Sequence, residues 1–346
     1  MAQSHVKMAD IARELGVSTV AVSKALSGQK GVSEELRARV QLLAEELGYQ
    51  SPSQRRAERE KTGFNIGVLI PSRYLDDGET FYWALYRQIA AQAQQRGCFV
   101  LFEIIDEEAA RSGAMPRLLR EKRVDGLIIL GKPPFGYARK VKDAWQQPLV
   151  YLDFYETDVS ADSVISNSFF GMYAMTRFLL ERGHREIGFV GTLQATDSIN
   201  DRYLGYCKAL MESGIPLRGD WVVDDRDAEN GVRIDIRLPE PLPTAFVCNN
   251  DVAARLLIDR LRSAGLRVPE DVSVTGFDDF EGAAAKEGVG LTTYSVNMPE
   301  MAANAVKMLV RRLNSEPYHA GMRITDGRLV ERDSVRDLRE GAEHHG

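Results

Sequence analysis

Acidic, amide and basic side chains stand directly behind short apolar runs at several points of the chain. Asn249, Asn250 and Asp251 follow TAFVC (244–248), Phe277, Asp278 and Asp279 follow VSVTG, and Ser72 and Arg73 follow the run ending at Pro71. A carboxylate can accept hydrogen bonds from two vicinal hydroxyls, and a guanidinium donates a planar pair to ring or hydroxyl oxygens. Such groups suit reversible recognition of a polyhydroxylated small molecule. Each also has a purely structural alternative: Asp251 could cap a helix beginning at Val252, and Asp278 and Asp279 could simply end a strand. No nucleophile elbow, phosphate-binding glycine loop, dinucleotide glycine fingerprint or metal-ligand spacing accompanies them, so no catalytic residue, metal or cofactor is assigned. His184 reads as a turn residue at a helix end, and His344 and His345 lie in a polar tail.

A second constellation occupies residues 6–49. Met8, Ile11, Ala12 and Leu15 recur at helical spacing and Gly16 ends the pattern. Ser18 is placed to cap a second helix in which Val20, Ala21, Ala25 and Leu26 can pack inward while Thr19, Ser23 and Lys24 point outward. Ser33 caps a third, with Glu34 and Glu35 at its positive end and Leu36, Val40, Leu43 and Leu47 as its stripe, closed by Gly48. Two short helices joined by a tight Gly-Val turn, then a third, make a helix-turn-helix DNA reader, whose second helix enters the major groove.

The elements that must hold the first constellation alternate. Apolar runs NIGVLI (65–70), FVLFEI (99–104), GLIIL (126–130), LVYL (149–152), EIGFV (186–190), TAFVC (244–248) and VSVTGF (272–277) are separated by amphipathic stretches such as 82–96, 173–182, 202–213, 252–264 and 298–314. Alternation of this kind gives an α/β body with parallel sheets, and two similar lobes would use every segment. In such sheets a ligand lies beyond the carboxyl ends of the strands, where the polar residues above stand.

At 346 residues the chain exceeds one ordinary domain, and its formal net charge of -6 confines any nucleic-acid contact to one face of one unit. Cys98, Cys207 and Cys248 lie far apart and read as core fillers. With no secretory apolar region and no run long enough to span a membrane, a reducing cytoplasm is expected. Residues 51–63, SPSQRRAEREKTG, form a charged linker without an apolar face.

DIARELGVSTVAVSKAL, VSEELR and ELGY resemble the N-terminal headpiece of the lactose-repressor (LacI/GalR) family of bacterial transcription regulators. NIGVLIP, VDGLIILG, GHREIGFVG, DRYLGYCKAL, PTAFVCNNDVAA, VPEDVSVTGFDD and LTTYSV resemble landmarks of its periplasmic-binding-protein-like (type I) sensor. The resemblance implies an all-α head over 1–50, a hinge over 51–63, a body over 64–339 and a disordered tail over 340–346. The chain would cross between lobes three times, with lobe 1 at about 64–156 and 290–318 and lobe 2 at about 157–289 and 319–339. It implies a homodimer on a roughly palindromic double-stranded operator, without membrane contact, and a repressor controlled by a small effector, a sugar or sugar derivative. A solute-binding protein would share the body, but the DNA-reading head separates the two.

By the same resemblance Thr19, Val20, Ser23 and Lys24 fall on the base- and phosphate-facing positions, with Lys7, Ser18 and Ser27 beside them. Lys24 stands where the family usually has Arg, which replaces a bidentate guanine contact by a point charge. The family's hinge drives a leucine into the minor groove. No leucine occurs between Ser51 and Gly63; Arg55, Arg56 and Arg59 could instead meet phosphates or remain a solvated charge run. In the cleft the strand-end rule gives Ser72, Arg73, Asn250, Asp251 and Asp278, and the resemblance adds Arg202, with Phe81 and Tyr82 covering an apolar sugar face and Tyr155 and Phe280 behind them. Phe81 and Tyr82 could equally be core residues at a helix start. Ser166 and Asn167 replace an Asp-Asn pair common in the family, so that carboxylate is missing here.

Overall fold

The computed structural model describes residues 8–26, 31–47, 49, 63–75, 80–156, 161–280, 288–317 and 319–339. Contacts divide the chain into two compact units, 1–63 and 64–346. In the first, α1 (Met8–Leu15), α2 (Thr19–Leu26) and α3 (Glu34–Glu46) enclose a core of Ile11, Ala12, Val22, Ala25, Val40 and Ala44. Ser18 Oγ accepts from the amide of Ala21 at 3.2 Å and Ser33 Oγ from that of Leu36 at 3.3 Å, so both hydroxyls cap the helices that follow them. Gly16 adopts φ 64° where α1 stops, a conformation that costs glycine little.

The second unit contains two six-stranded sheets. The first has the order β11-β5-β4-β3-β1-β2, with β1 Asn65–Pro71, β2 Phe99–Ile105, β3 Gly126–Leu130, β4 Leu149–Leu152, β5 Asp162–Ser166 and β11 Met322–Thr325. The second has the order β12-β10-β9-β8-β6-β7, with β6 Ile187–Val190, β7 Val222–Val223, β8 Ala245–Cys248, β9 Ser273–Asp278, β10 Thr292–Ser295 and β12 Arg328–Val330. Every pairing is parallel except β10 with β12. Both lobes therefore run 2-1-3-4-5-6 in their own strand count, and each reverses direction of winding between its first and third strands. Those switch points, behind β1/β3 and β6/β8, are where an open α/β sheet leaves a crevice.

Helices pack on both sheets: α4 (Phe81–Gln94), α5 (Glu107–Ser112), α6 (Arg117–Arg120), α7 (Tyr137–Ala144) and α11 (Met298–Leu313) in lobe 1, and α8 (Ser168–Glu181), α9 (Asp197–Glu212) and α10 (Asp251–Ser263) in lobe 2. The three crossings between lobes lie between β5 and α8, β10 and α11, and β11 and β12. The expected crossings near 156, 290 and 318 need correction, because β5 and β11 belong to lobe 1 and β10 to lobe 2. DSVIS and TTYS carry buried hydroxyls and a buried carboxylate in place of an apolar run, and ladder bonds on both sides satisfy their backbones. Asp162, fully buried in β5, accepts from the amide of Gly321 at 2.9 Å and from Arg312 at 3.2 Å, which ties β11 and α11 to it.

Candidate ligand cleft and recognition helix

In the head, Ser18, Thr19, Val20 and Ser23 are exposed and Lys24 is half-buried. Val20 is 61% exposed, whereas Val22 and Ala25 fill the core. The expected inward packing of Val20 is thus corrected: Val22, two residues on, turns to α1 and α3. Hydroxyls, an apolar side chain and an ammonium on one open helix offer what base edges, a thymine methyl and phosphates accept. Lys7, Ser27, Arg55, Arg56 and Arg59 lie outside the described residues.

The lobe 1 wall of the cleft begins where β1 ends. Ser72–Tyr74 form one 3-10 turn, and Arg73 Nη2 donates to Tyr74 Oη at 2.7 Å and to the Lys132 carbonyl behind β3 at 2.6 Å, spanning the switch point. Tyr74 stacks on Tyr82 with ring centroids 4.2 Å apart. Tyr82 Oη donates to Asp153 Oδ2 at 2.9 Å, and Asp153 directly follows β4 with φ 65°. Its backbone is one that L-residues rarely adopt, held by its neighbours at a cost of about 1 kcal/mol or more.

Lobe 2 supplies a buried ionic network. Arg202 on α9, 5% exposed, donates to the Asn249 carbonyl at 2.6 Å and to Asp278 Oδ1 at 3.4 Å, and its guanidinium lies 3.9 Å from the Phe277 ring centroid. Its Nε has no hydrogen-bond partner among the described residues. Beside it, Asp225 is fully buried and accepts from the Thr192 amide at 3.0 Å, Asn249 Nδ2 at 3.0 Å and Arg226 Nη2 at 2.6 Å. Lobes meet where Lys132 Nζ pairs with Asp197 Oδ2 at 2.9 Å and Tyr155 Oη donates to Asp201 Oδ1 at 3.4 Å.

Burial dominates the titration of the cleft carboxyls. Desolvation pushes Asp278 up to about 8, against the pull of Arg202 and with the push of Asp251 and Asp153. It raises Asp153 to about 6, opposed by Arg202 and by the Tyr82 hydrogen bond. The charges of Arg202, Asp153 and Asp278 act on one another across the two lobes. Asp225 is buried too, but hydrogen bonds and charge from Arg226, with Asn249 and Thr192, outweigh desolvation and hold it below the usual carboxylate range.

Of the expected cleft residues, Arg73, Tyr82, Arg202 and Asp278 stand together here, and Tyr155 stands at the rim. Ser72 sits in the turn behind β1. Three placements differ. Asp251 is 1% exposed and spends both oxygens on the protein, accepting from Thr293 Oγ1 at 2.5 Å and from the Asp279 amide at 2.7 Å, so it braces β9 and β10 and grips no hydroxyl pair. Nor is it the cap of α10: Asn250 is, its Oδ1 accepting from the Ala253 amide at 2.8 Å, which commits the oxygen expected for the ligand. Phe81 and Phe280 are buried in the core. Reasoning from sequence missed Tyr74, Lys132, Asp153 and Arg226. Asp153 and Lys132 stand just behind LVYL and GLIILG, where the strand-end rule already points.

A three-helix DNA-reading head joined to a two-lobed body with a polar cleft defines a ligand-responsive transcription regulator. Residues 7–52 match the bacterial regulatory proteins of the lacI family, and residues 176–335 match the periplasmic binding protein-like domain. The chain is 31% identical over 334 residues to the HTH-type transcriptional repressor PurR of Pectobacterium carotovorum subsp. carotovorum (strain PC1), covering 95% of this chain and 96% of that one. It is 29% identical over 337 residues to the ribose operon repressor of Haemophilus influenzae, covering 96% and 99%. The lac repressor dimer bound to operator and the anti-inducer ONPF superposes with a TM-score of 0.66 at 23% identity, over 96% of this chain and 100% of that one. A CelR-cellobiose complex does so with a TM-score of 0.66 at 22% identity, over 95% and 100%. The chain belongs to the LacI family of DNA-binding transcriptional regulators, with an effector-binding body. These relatives are repressors, not enzymes. No helix among the described residues is long and apolar enough to cross a membrane.

Proposed function

We propose that the chain acts in the cytoplasm as a homodimeric repressor of a roughly palindromic operator, released or retained by a small carbohydrate-like effector held between the lobes. Thr19, Val20, Ser23 and Lys24 read the major groove, Lys7, Ser18 and Ser27 flank them at the backbone, and Arg55, Arg56 and Arg59 meet phosphates in place of a leucine wedge. In the cleft Asp153, Arg202 and Asp278 bind hydroxyls, and Tyr74 and Tyr82 pack against the apolar face of a ring. The observation that carries this reading is the convergence, at the two switch points, of groups from both lobes on one site. A ligand touching both lobes prefers one lobe arrangement, and that difference in affinity is the only free energy available to move the DNA equilibrium.

The test is a thermal-shift screen of the full chain against mono- and disaccharides, sugar acids, sugar phosphates and purines, with operator sequences selected from random DNA. An effector at a hundred times its dissociation constant stabilises the folded chain by about 2.7 kcal/mol. A palindromic selected site and a compound that both raises Tm and changes affinity for that site are expected. Failure of every polyhydroxylated compound alongside a purine hit would remove the carbohydrate reading.

A further inference from the structure

The connection between β7 and β8 has no helix, unlike the α9 and α10 crossovers on either side of it. Residues 224–244 cover the sheet with Ile236, Leu238 and Leu242 and fold into a tight hairpin closed by an antiparallel bridge between Arg226 and Arg233. Its turn is well bonded: the Asp227 amide donates to the Val232 carbonyl at 2.7 Å, and Asp227 Oδ1 accepts from the amides of Glu229 at 2.9 Å and Asn230 at 3.0 Å. The tip reaches lobe 1, where a Cβ on Gly231 would lie 3.9 Å from Arg73 Cδ.

Three guanidiniums gather at this end of the cleft. Arg226 and Arg233 share one buried carboxylate, Asp225, at 2.6 and 3.5 Å, while Asp224, Asp227 and Glu229 are exposed. Across from them Arg73 keeps a buried Nε that has no partner among the described residues, and its other bonds go to the neutral Tyr74 hydroxyl and the Lys132 carbonyl. Arg73 and Arg226 both act electrostatically on Tyr74 and on Tyr82. The stacked tyrosines are thus flanked by the guanidiniums of Arg73 and Arg226 on one side and by Asp153, with Arg202 and Asp278, on the other.

Resting on the effector-cleft reading above, we propose that the effector is an anionic sugar derivative, its carboxylate or phosphate seated among Arg73, Arg226 and Arg233 and its hydroxyls on Asp153, Arg202 and Asp278. The hairpin is then the specificity element of lobe 2, and Arg73 its counterpart in lobe 1. Guanidiniums bind carboxylates and phosphates through two parallel N–H···O bonds, and Arg73 Nε, buried and without a partner among the described residues, is satisfied when such a group arrives.

Calorimetry and melting of the full chain are to be run with inorganic phosphate and with neutral aldoses, their uronic and aldonic acids and their 6-phosphates, for wild type, Arg73→Gln and Arg202→Ala. Inorganic phosphate should raise the wild-type Tm, and an acidic sugar should bind about ten- to hundred-fold tighter than its neutral counterpart. Arg73→Gln should collapse that margin while keeping the wild-type fold, read by circular dichroism. Acid and phosphate arms tell a carboxylate from a phosphate. A wild-type Tm unmoved by inorganic phosphate and by every acidic sugar, a neutral sugar bound as tightly as its acid, or a margin intact in Arg73→Gln overturns the proposal. Neutral sugars that wild type binds as tightly as their acids, and that Arg202→Ala fails to bind, would leave the cleft reading standing and sink only the acidic group; binding unchanged in Arg202→Ala would sink the cleft itself.

Discussion

The two lobes share one strand order yet prepare their crevices differently. Lobe 1 offers a stacked aromatic pair, Tyr74 and Tyr82, with one carboxylate bonded to it and one arginine spanning the switch point. Lobe 2 offers a desolvated network in which Arg202, Asp278, Asn249, Asp225 and Arg226 are already tied to each other. One wall supplies apolar surface at little cost; the other supplies preorganised polarity whose removal leaves buried groups without partners. Substitutions in lobe 2 should therefore affect both fold and ligand, and those in lobe 1 chiefly ligand.

The largest effect is expected from Arg202→Ala, which strips Asp278 and the Asn249 carbonyl of their shared donor. It should lower stability by about 1 to 3 kcal/mol in denaturant titration and abolish effector binding. Wild-type stability together with wild-type binding would erase the contrast between the lobes. Tyr82→Phe, its lobe 1 counterpart, removes the donor to Asp153 and should weaken effector binding by about 1 to 2 kcal/mol, with a loss of stability smaller than that of Arg202→Ala. A larger loss of stability than of affinity would make Tyr82 a core residue.

Titration sharpens the contrast further. Asp278, Asp251 and Asp153, at about 8, about 7 and about 6, hold protons in the folded chain that the unfolded chain releases near pH ~4. Between those limits the folded state binds more protons, so unfolding free energy falls as pH rises and levels off above the Asp278 value. His184, buried against Thr244 and the Arg336 carbonyl and lowered by desolvation, contributes the opposite slope, its stabilisation being complete above its unfolded value and lost as pH falls. The decline should be clearest above that His value, and Asp278→Asn should flatten it; an unaltered pH profile in that variant would contradict the assignment. The smallest effect belongs to Lys132→Ala. Its pair with Asp197 bridges the lobes at a solvent-accessible rim, and such pairs contribute about 0 to 1 kcal/mol. A loss well beyond that in melting experiments would mean that the rim, not the network, joins the lobes.

Strands with continuous apolar runs were legible in the sequence, and NIGVLI, GLIIL and LVYL fall on β1, β3 and β4 nearly residue for residue. β5 and β10 were not, since Asp162, Ser163, Thr292 and Thr293 are buried by ladder and side-chain bonds that only the assembled lobes provide. The crossover boundaries slipped for the same reason. Asp251 misled differently. A carboxylate behind a strand can face the crevice or the sheet, and only the assembled sheet decides: a Cβ on Gly276 would lie 2.1 Å from Asp251 Oδ1, so the absence of a side chain there makes the seat for the carboxylate. In the head, Ser18 and Ser33 signalled their helices through local chemistry alone, whereas choosing Val22 over Val20 as the buried residue required knowing how α2 is rotated against its neighbours.

Regulation by an effector requires that the cleft and the DNA-reading helix be coupled. The most direct test measures affinity for a selected operator by fluorescence anisotropy, with and without a saturating effector from the screen, in wild type and Arg202→Ala. Coupling between sites in such proteins is typically about 1 to 3 kcal/mol, so wild-type affinity should change about 5- to 150-fold while Arg202→Ala does not respond. An operator affinity that ignores the effector in wild type, or responds equally in both proteins, would contradict it.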